Sequence, residues 1–464
     1  MPVFVTAGIT LVIWMGSKWY YQDWFDNPFH YPAKFASLTT VSFMCWSVLL
    51  STRWRFLEVY FSGLDSMYQV HKSLGKWSFY LIILHPLFLA AHKLPDIGAF
   101  FAYIWFQDPM GDRYILGLNF GVALFLLMAL LVALTLWITP PYHVWKKTHE
   151  WFGLVMLLAV VHVFVVDADV AEYPLLTIWL YLLLGGALAS FIHIRFLYRF
   201  LGPRFEYVVS RIEKHEDIFK FTFSPRDKKM DFKPSQFVYL VVKGKEEISP
   251  EPHPYSIASG YNLEADFKLG IKQTGDHTAT LDRLEKGDIV TVYGPYGRFS
   301  EPFLEAKRDC IFIAGGIGIT PFLGMWHVAL HSEERLPGED VPEKLREMHP
   351  EMIRTWKSPR VHLFYVCKNI DQAGFDFDIR QEEILSRFAG LEPLERRGHS
   401  YELYLTDNRE KITAEYMDRE VPGGVREKNI FICGPQVMMD DLMGQFLALG
   451  VARNRIVVET FNLL

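Results

Sequence analysis

Six apolar runs fill the first two hundred residues of this chain, at about Val3 to Trp19, Phe35 to Leu50, Val70 to Ala91, Leu116 to Ile138, His149 to Val166 and Leu175 to Phe196. A hydrocarbon layer is about 30 Å thick and takes about twenty residues of helix to cross. Lipid offers the backbone no partners, so runs of this kind can only be helices. The first run lacks a basic leader and a small-residue cleavage site and reads as a retained helix rather than a signal peptide. The rest of the 464-residue chain alternates like a soluble α/β protein. The chain is therefore expected to be a membrane all-α six-helix bundle (1–200) followed by a β-barrel (205–304) and an α/β nucleotide-binding domain (308–464).

An even number of spans puts both ends of the bundle on one side. Arg53, Arg55, Lys72, Lys76, Lys146, Lys147, Arg195, Arg199 and Arg204 flank that side, while Asp23, Asp26, Asp96, Asp108, Asp112, Asp167, Asp169 and Glu172 mark the other. The positive-inside rule makes the basic side cytoplasmic, in a plasma or inner membrane, with the soluble half on it. A net charge of -6 gives no reason to invoke nucleic acid. Cys45, Cys310, Cys367 and Cys433 lack metal-binding spacing and suit a reducing compartment.

Two of the runs carry histidines in pairs. His71 and His85 lie fourteen residues apart, roughly 21 Å along a helix and only ~40° around it, so both rings leave one face at two depths. His149 and His162 lie thirteen apart, about 140° out of phase on a straight helix, so the fifth span must be irregular between them, for instance through a π-bulge. Pro86 removes a backbone donor next to His85 and is expected to kink the third span. A single membrane histidine can serve merely to hydrogen-bond a carbonyl. Matched pairs on two helices that run the same way point instead to ligation of two stacked haems, bound without covalent attachment since no CxxCH occurs.

In the soluble half, EYVVSRIEKHEDIFKFTFSP and FVYLVV read as antiparallel barrel strands. CIFIAGGIGITPFLGMW then switches to strand, glycine turn and helix. Gly315, Gly316 and Gly318 let backbone approach a pyrophosphate, and a helix starting near Thr320, with Pro321 in its first turn, offers free N–H groups to it. Two further crossings, VHLFYVCKN and NIFICGPQVMM, make this a nicotinamide-nucleotide domain. Lys368 and either Arg409 or Lys411 are candidates for the 2′-phosphate of NADPH. Residues 331–358 read as an inserted helix and loop.

GLDSMYQVHKSLG with its downstream HP, the two histidine pairs and the PHPYSIAS stretch resemble the ferric reductase-like transmembrane and NADPH oxidase family, over nearly the whole chain. The resemblance implies that His71 with His149 clamps an inner b-type haem and His85 with His162 an outer one. It implies a ferredoxin-reductase-like barrel in which His253, Pro254, Tyr255 and Ser256 meet FAD, with Tyr255 against the isoalloxazine or ribityl and Ser256 near N5. Lys272, Gly275 and Thr278 would hold the pyrophosphate, and His277 stands where NADPH oxidases show an aromatic. Cys433, Gly434 and Pro435 match the turn beside the nicotinamide, and Phe461 the terminal aromatic that covers the flavin. Ser256, Cys433 and Phe461 are thus the candidate catalytic residues. The implied activity is electron transfer from cytoplasmic NADPH through FAD and two haems to an outer acceptor: oxygen giving superoxide, or alternatively ferric ion, a quinone or a partner protein, which is not required. Leu89 stands where NADPH oxidases carry a further outer histidine, with His92 the nearest substitute. No calcium-binding repeat precedes the first span, so calcium control is not expected. The rival readings are an electron-relay subunit and a haem-free anchor or proton path lined by histidines.

Overall fold

The computed structural model describes residues 2–138, 140–260, 266–331, 358–388 and 393–460. It divides into two compact units, Met1–Phe61 with Ser66–Tyr198, and Ser62–Asp65 with Arg199–Leu464.

The first unit is helical. Its main helices are α1 (Pro2–Tyr21), α2 (His30–Leu50), α3 (Leu64–Ala90), α4 (Arg113–Ala133), α5 (Tyr142–Glu150), α6 (Phe152–Val166) and α7 (Pro174–Ile192). Among the described residues six stretches are long and apolar enough to cross a membrane: Pro2–Tyr21, His30–Leu50, Leu64–Lys93, Tyr114–Ile138, Val144–Val166 and Pro174–Leu201. Large side chains such as Phe4, Val12, Trp77 and Leu182 stay exposed on them, which suits lipid and not water. Helix α3 runs unbroken through Pro86. The irregularity demanded between His149 and His162 is a turn at Trp151, which separates α5 from α6. The π-helical stretches lie elsewhere, at Leu134–Ile138 and His193–Leu197.

Two lysines, Lys18 buried and Lys34 half-buried, carry charge inside this unit. Lys18, 1% exposed, bridges Asp23 at 3.1 Å and Asp169 at 2.9 Å, and Lys34 bridges Asp167 and, at 3.2 Å, Asp169. Trp14 Nε1 donates to Asp169 at 2.8 Å and the Tyr173 hydroxyl donates to Asp23. Each buried charge thus has opposite charge and hydrogen bonds around it, which is the condition for keeping it out of water.

The second unit holds two sheets. Strands β1 (Arg204–His215), β2 (Ile218–Pro225), β3 (Phe237–Val242), β4 (His253–Ser256), β5 (Phe267–Lys272) and β6 (Ile289–Tyr296) form an antiparallel sheet in the order β4-β3-β6-β1-β2-β5. A bridge between Ile257 and Leu269 joins its two edges, so the sheet closes as a barrel. Alternate residues Phe219, Phe221 and Phe223 of β2 point inward onto Phe267, Leu269 and Ile271 of β5, the period-two pattern of a strand with one buried face.

Strands β7 (Cys310–Gly315), β8 (Val361–Cys367), β9 (Ser400–Leu405), β10 (Asn429–Cys433) and β11 (Ile456–Glu459) form an all-parallel sheet in the order β11-β10-β7-β8-β9. Every residue of β7, β8 and β10 is buried, as expected of strands covered on both faces. Helices α8 (Thr320–His331), α9 (Asp376–Phe388) and α10 (Gln436–Ala448) supply much of that cover. Sheet order reverses beside β7, which puts the ligand crevice of such a sheet at the carboxyl ends of β7 and β10. The inserted stretch expected at 331–358 falls, apart from its two ends, outside the described residues.

Candidate functional site: four membrane histidines and a flavin–nicotinamide cleft

In the helical unit His71 Nδ1 lies 2.8 Å from the Ser47 carbonyl and 2.9 Å from its hydroxyl, and His85 Nδ1 lies 2.9 Å from the Ala33 carbonyl. Both partners belong to α2 and are fourteen residues apart, the separation of the two histidines themselves, so one antiparallel helix repeats the same contact at two depths. On the other side His162 Nδ1 lies 3.0 Å from the Gly117 carbonyl of α4. Gly121 makes room for that ring, since a Cβ there would come within 2.6 Å of it. A ring whose Nδ1–H is given to a carbonyl keeps the Nε2 lone pair for a metal. His149 is packed between Trp145 and Phe152 at 5.0 and 4.9 Å, and its Nδ1 has no partner among the described residues. The His71 and His149 centroids are 6.0 Å apart. Two imidazoles on opposite sides of one metal, with bonds of about 2 Å, put their centroids at about that spacing. The residues therefore fit haem. His92, by contrast, sits exposed on the turn Ala91–Lys93 with Nδ1 2.7 Å from the Leu89 carbonyl.

In the barrel, β4 carries His253, Pro254, Tyr255 and Ser256 opposite Leu240, Tyr239, Val238 and Phe237 of β3. His253 stacks on His277 at 3.6 Å and 17°. His277 thus serves as a flat ring in the place of the expected aromatic, and burial holds its pKa below the ordinary value, which favours the uncharged, stackable form. The Tyr255 hydroxyl is buried without a partner among the described residues, and burial pushes its pKa up, so it remains a donor. Such an orphan next to a cleft is what a bound flavin would satisfy. Gly275 and Thr278 come together, but the Thr278 hydroxyl accepts from the Thr274 and Gly275 N–H groups at 3.0 Å each. Lys272 pairs with Asp217 at 3.3 Å. An anion at this place would take over those donors.

In the parallel sheet, helix α8 begins at Thr320 with Pro321 in its first turn, as expected. The glycines also have a packing role that their pattern did not suggest. A Cβ on Gly318 would lie 2.3 Å from the Cys433 carbonyl oxygen, one on Gly315 2.7 Å from Pro435, and one on Gly434 2.9 Å from the Gly315 backbone. These three let the β7 and β10 turns cross in contact. Gly316, at φ +54°, has open space beside it. Gly318→Ala is therefore expected to force the two turns apart, at the ~1–3 kcal/mol of core overpacking, and to lower kcat/KM for the reduced nucleotide about ten- to a hundred-fold. Gly316→Ala meets no neighbouring atom but puts a side chain at φ +54°, a strain of about 1–2 kcal/mol, so its effect is expected at the lower end of that range. Steady-state kinetics with saturating acceptor rank the pair, and the reverse ranking would refute this geometry.

Lys368 is exposed directly after β8. Arg409 is engaged elsewhere, 2.6 Å from Glu402 and over the Tyr404 ring. Lys411 is exposed. Cys433 is buried and in register with Glu459 of β11, and burial raises its thiol pKa well above the usual value. Phe461 lies outside the described residues.

Glu459 is the residue that sequence reasoning missed. Its side chain lines a cleft with Phe237, Pro254, Tyr255, Ser256 and Thr460, its Oε2 has no partner among the described residues, and burial raises its pKa well above the usual carboxyl range. Burial thus favours the protonated form of this carboxyl beside the flavin signature. The available signal was a lone acid ending an apolar strand, in VVET.

Comparison with known proteins follows the same division. The model of the ferric reductase like transmembrane component matches residues 36–160, and that of the oxidoreductase FAD-binding domain matches residues 208–300. A flavohemoprotein of Bordetella pertussis is 24% identical over 271 residues, 55% of this chain and 60% of that protein. The sulfhydrogenase 1 subunit gamma of Pyrococcus furiosus is 33% identical over 124 residues, 26% of this chain and 41% of that one. The chain thus spans less than two thirds of each of these relatives. Among solved structures, the flavohemoglobin of Malassezia yamatoensis superposes with a TM-score of 0.44 at 16% identity, covering 81% of this chain and 93% of that one. Phthalate dioxygenase reductase superposes with a TM-score of 0.39 at 17% identity, over 55% and 68%. A stretch similar to the ferric reductase like transmembrane component and a stretch similar to an oxidoreductase FAD-binding domain thus follow one another in this chain.

Proposed function

We propose that this protein moves electrons from cytoplasmic NADPH across the membrane to oxygen, giving superoxide, by way of FAD and two b-type haems. The observation that carries the reading is the repeated histidine contact, in which α2 pins His71 and His85 through Nδ1 at the same fourteen-residue spacing. His71 with His149 would hold one haem, and His85 with His162 the other. When bound, flavin converts the two-electron chemistry of nicotinamide into the one-electron chemistry of haem iron. If all four histidines are committed as ligands, the haems they hold would supply one-electron transfer to an acceptor rather than a site where the acceptor binds. The basic flanks of the bundle support a cytoplasmic soluble half.

In the cleft, the residues position and protonate. Tyr255 offers a buried hydroxyl and Ser256 a second one, while burial disposes the Glu459 carboxyl, whose Oε2 is buried, to hold a proton. Cys433 closes the sheet end beside it as a neutral thiol, and Phe461, two residues after Glu459, would cover the flavin face. Gly316 leaves the backbone open to the pyrophosphate of the nucleotide.

Lys368, exposed directly after β8, would meet the 2′-phosphate, with exposed Lys411 the second candidate, since Arg409 is committed to Glu402. A charge-assisted hydrogen bond is worth about 1.5–3 kcal/mol. Lys368→Ala should accordingly lower the ratio of kcat/KM for NADPH over NADH about tenfold or more, and an unchanged ratio would leave Lys368 a solvated surface charge.

The function itself is tested with detergent-purified protein given NADPH. Oxygen uptake with a signal abolished by superoxide dismutase is expected. Reduction of a ferric chelate under argon with no superoxide in air would make it a ferric reductase, and neither activity without an added protein would make it a relay subunit.

A further inference from the structure

Two histidines of α8 meet a carboxylate of α9 away from the cleft. His327 and His331 stand one turn apart on α8, with ring centroids 4.5 Å apart. Glu382 Oε2 lies 3.0 Å from His327 Nδ1 and 3.0 Å from His331 Nε2. One ligand atom from each residue lies within 4.8 Å of the others. A second observation concerns Gly260. A Cβ there would lie 2.1 Å from His327 Cδ2, so the ring lies flush on the Gly260 backbone, which holds its Nδ1 toward Glu382.

We propose that His327, His331 and Glu382 form a binding site for a divalent transition-metal ion of the zinc type. Two imidazoles and one carboxylate are the ligand set of zinc sites that keep a fourth position open. Zinc sits about 2.0–2.2 Å from such atoms, which spaces tetrahedral ligands about 3.3 Å apart, so a cation needs the nitrogens to retreat from the carboxylate by only a few tenths of an ångström. The three side chains are 33, 18 and 32% exposed, enough for a hydrated ion to enter. Their charge also suits the ion, since neutral imidazoles and one carboxylate leave a net charge of one on the bound cation.

The site's place in the fold gives it a role. Helix α8 begins at Thr320 on the glycine turn and carries His331 at its far end, about 16 Å along the axis. A metal there takes no part in hydride transfer. It fastens α8 to α9 and so braces the helix whose first turn faces the nucleotide.

The test uses the full-length holoprotein in detergent, freed of any histidine tag and dialysed against zinc alone. Zinc per chain is measured by elemental mass spectrometry, and the unfolding midpoint is read with and without zinc. Wild type is expected to retain one zinc per chain more than His327→Ala or Glu382→Gln, and its midpoint should rise with zinc while theirs does not. Glu382→Gln keeps the side chain's shape, and its flavin content certifies the fold. Equal zinc in wild type and Glu382→Gln, or no zinc-dependent midpoint in wild type, would overturn the site.

Discussion

Leucine at His149 is expected to halve the haem content of the chain and to abolish NADPH-driven reduction of the outer acceptor, while NADPH still reduces the flavin at close to the wild-type rate. The asymmetry follows from the division of the chain, since the nucleotide cleft lies wholly in the second unit and His149 in the first. His149 is the most telling of the four histidines. The Nδ1 atoms of the other three are each held to a carbonyl, at 2.8–3.0 Å, whereas His149 is fixed by packing between Trp145 and Phe152. A leucine keeps that packing and removes only the ligand. Haem content by pyridine haemochrome and stopped-flow flavin reduction check both halves of the expectation. Full haem content in His149→Leu would show that His149 ligates nothing.

Glu459→Gln should slow flavin reduction by NADPH by on the order of a hundred-fold, the usual worth of a positioned acid, with little change in stability near pH 5. The amide has the shape of the protonated carboxyl but cannot supply or take up a proton. The pH dependence of stability separates this from a packing role. Burial raises the folded pKa of Glu459 above its unfolded value of about 4.3. Between those two values the unfolded chain has released a proton that the folded chain still holds, so wild type loses stability as pH rises through that window. Glu459→Gln lacks this term. The midpoint of wild type relative to Glu459→Gln should therefore fall as pH is raised from 5 to 8. Parallel stability curves would mean an ordinary carboxylate, and an unaltered rate of flavin reduction would remove Glu459 from the chemistry.

What the sequence conveyed and what it withheld have physical causes. The six spans were legible because lipid demands runs of apolar helix, yet the second span begins at His30, before Phe35. Lys34 lies inside it, paired with Asp167 and Asp169. A hydropathy reading takes such a lysine as the edge of the membrane, and only the long-range partners reveal otherwise. The same holds for Lys18, whose partner Asp169 lies beyond the fifth span. The phase mismatch of His149 and His162 correctly foretold an irregular helix, while its form, a turn at Trp151, depended on packing.

The glycine turn was legible as a turn, but the contacts that require Gly315 and Gly318 come from β10, more than a hundred residues away. The pairing of Lys272 with Asp217 and of Arg409 with Glu402 was hidden for the same reason. His327, His331 and Glu382 carried half a signal, since the one-turn spacing of the histidines is local and the carboxylate is not.

The central claim is that the four histidines hold two haems that NADPH can reduce through the flavin. It is tested most directly by the absorption spectrum of the purified chain under argon, before and after NADPH, with haem and flavin quantified. The account predicts a Soret band, two haems for each FAD, and full reduction of both by NADPH. A flavin spectrum without a Soret band, or haem that NADPH leaves oxidised while the flavin bleaches, would contradict it.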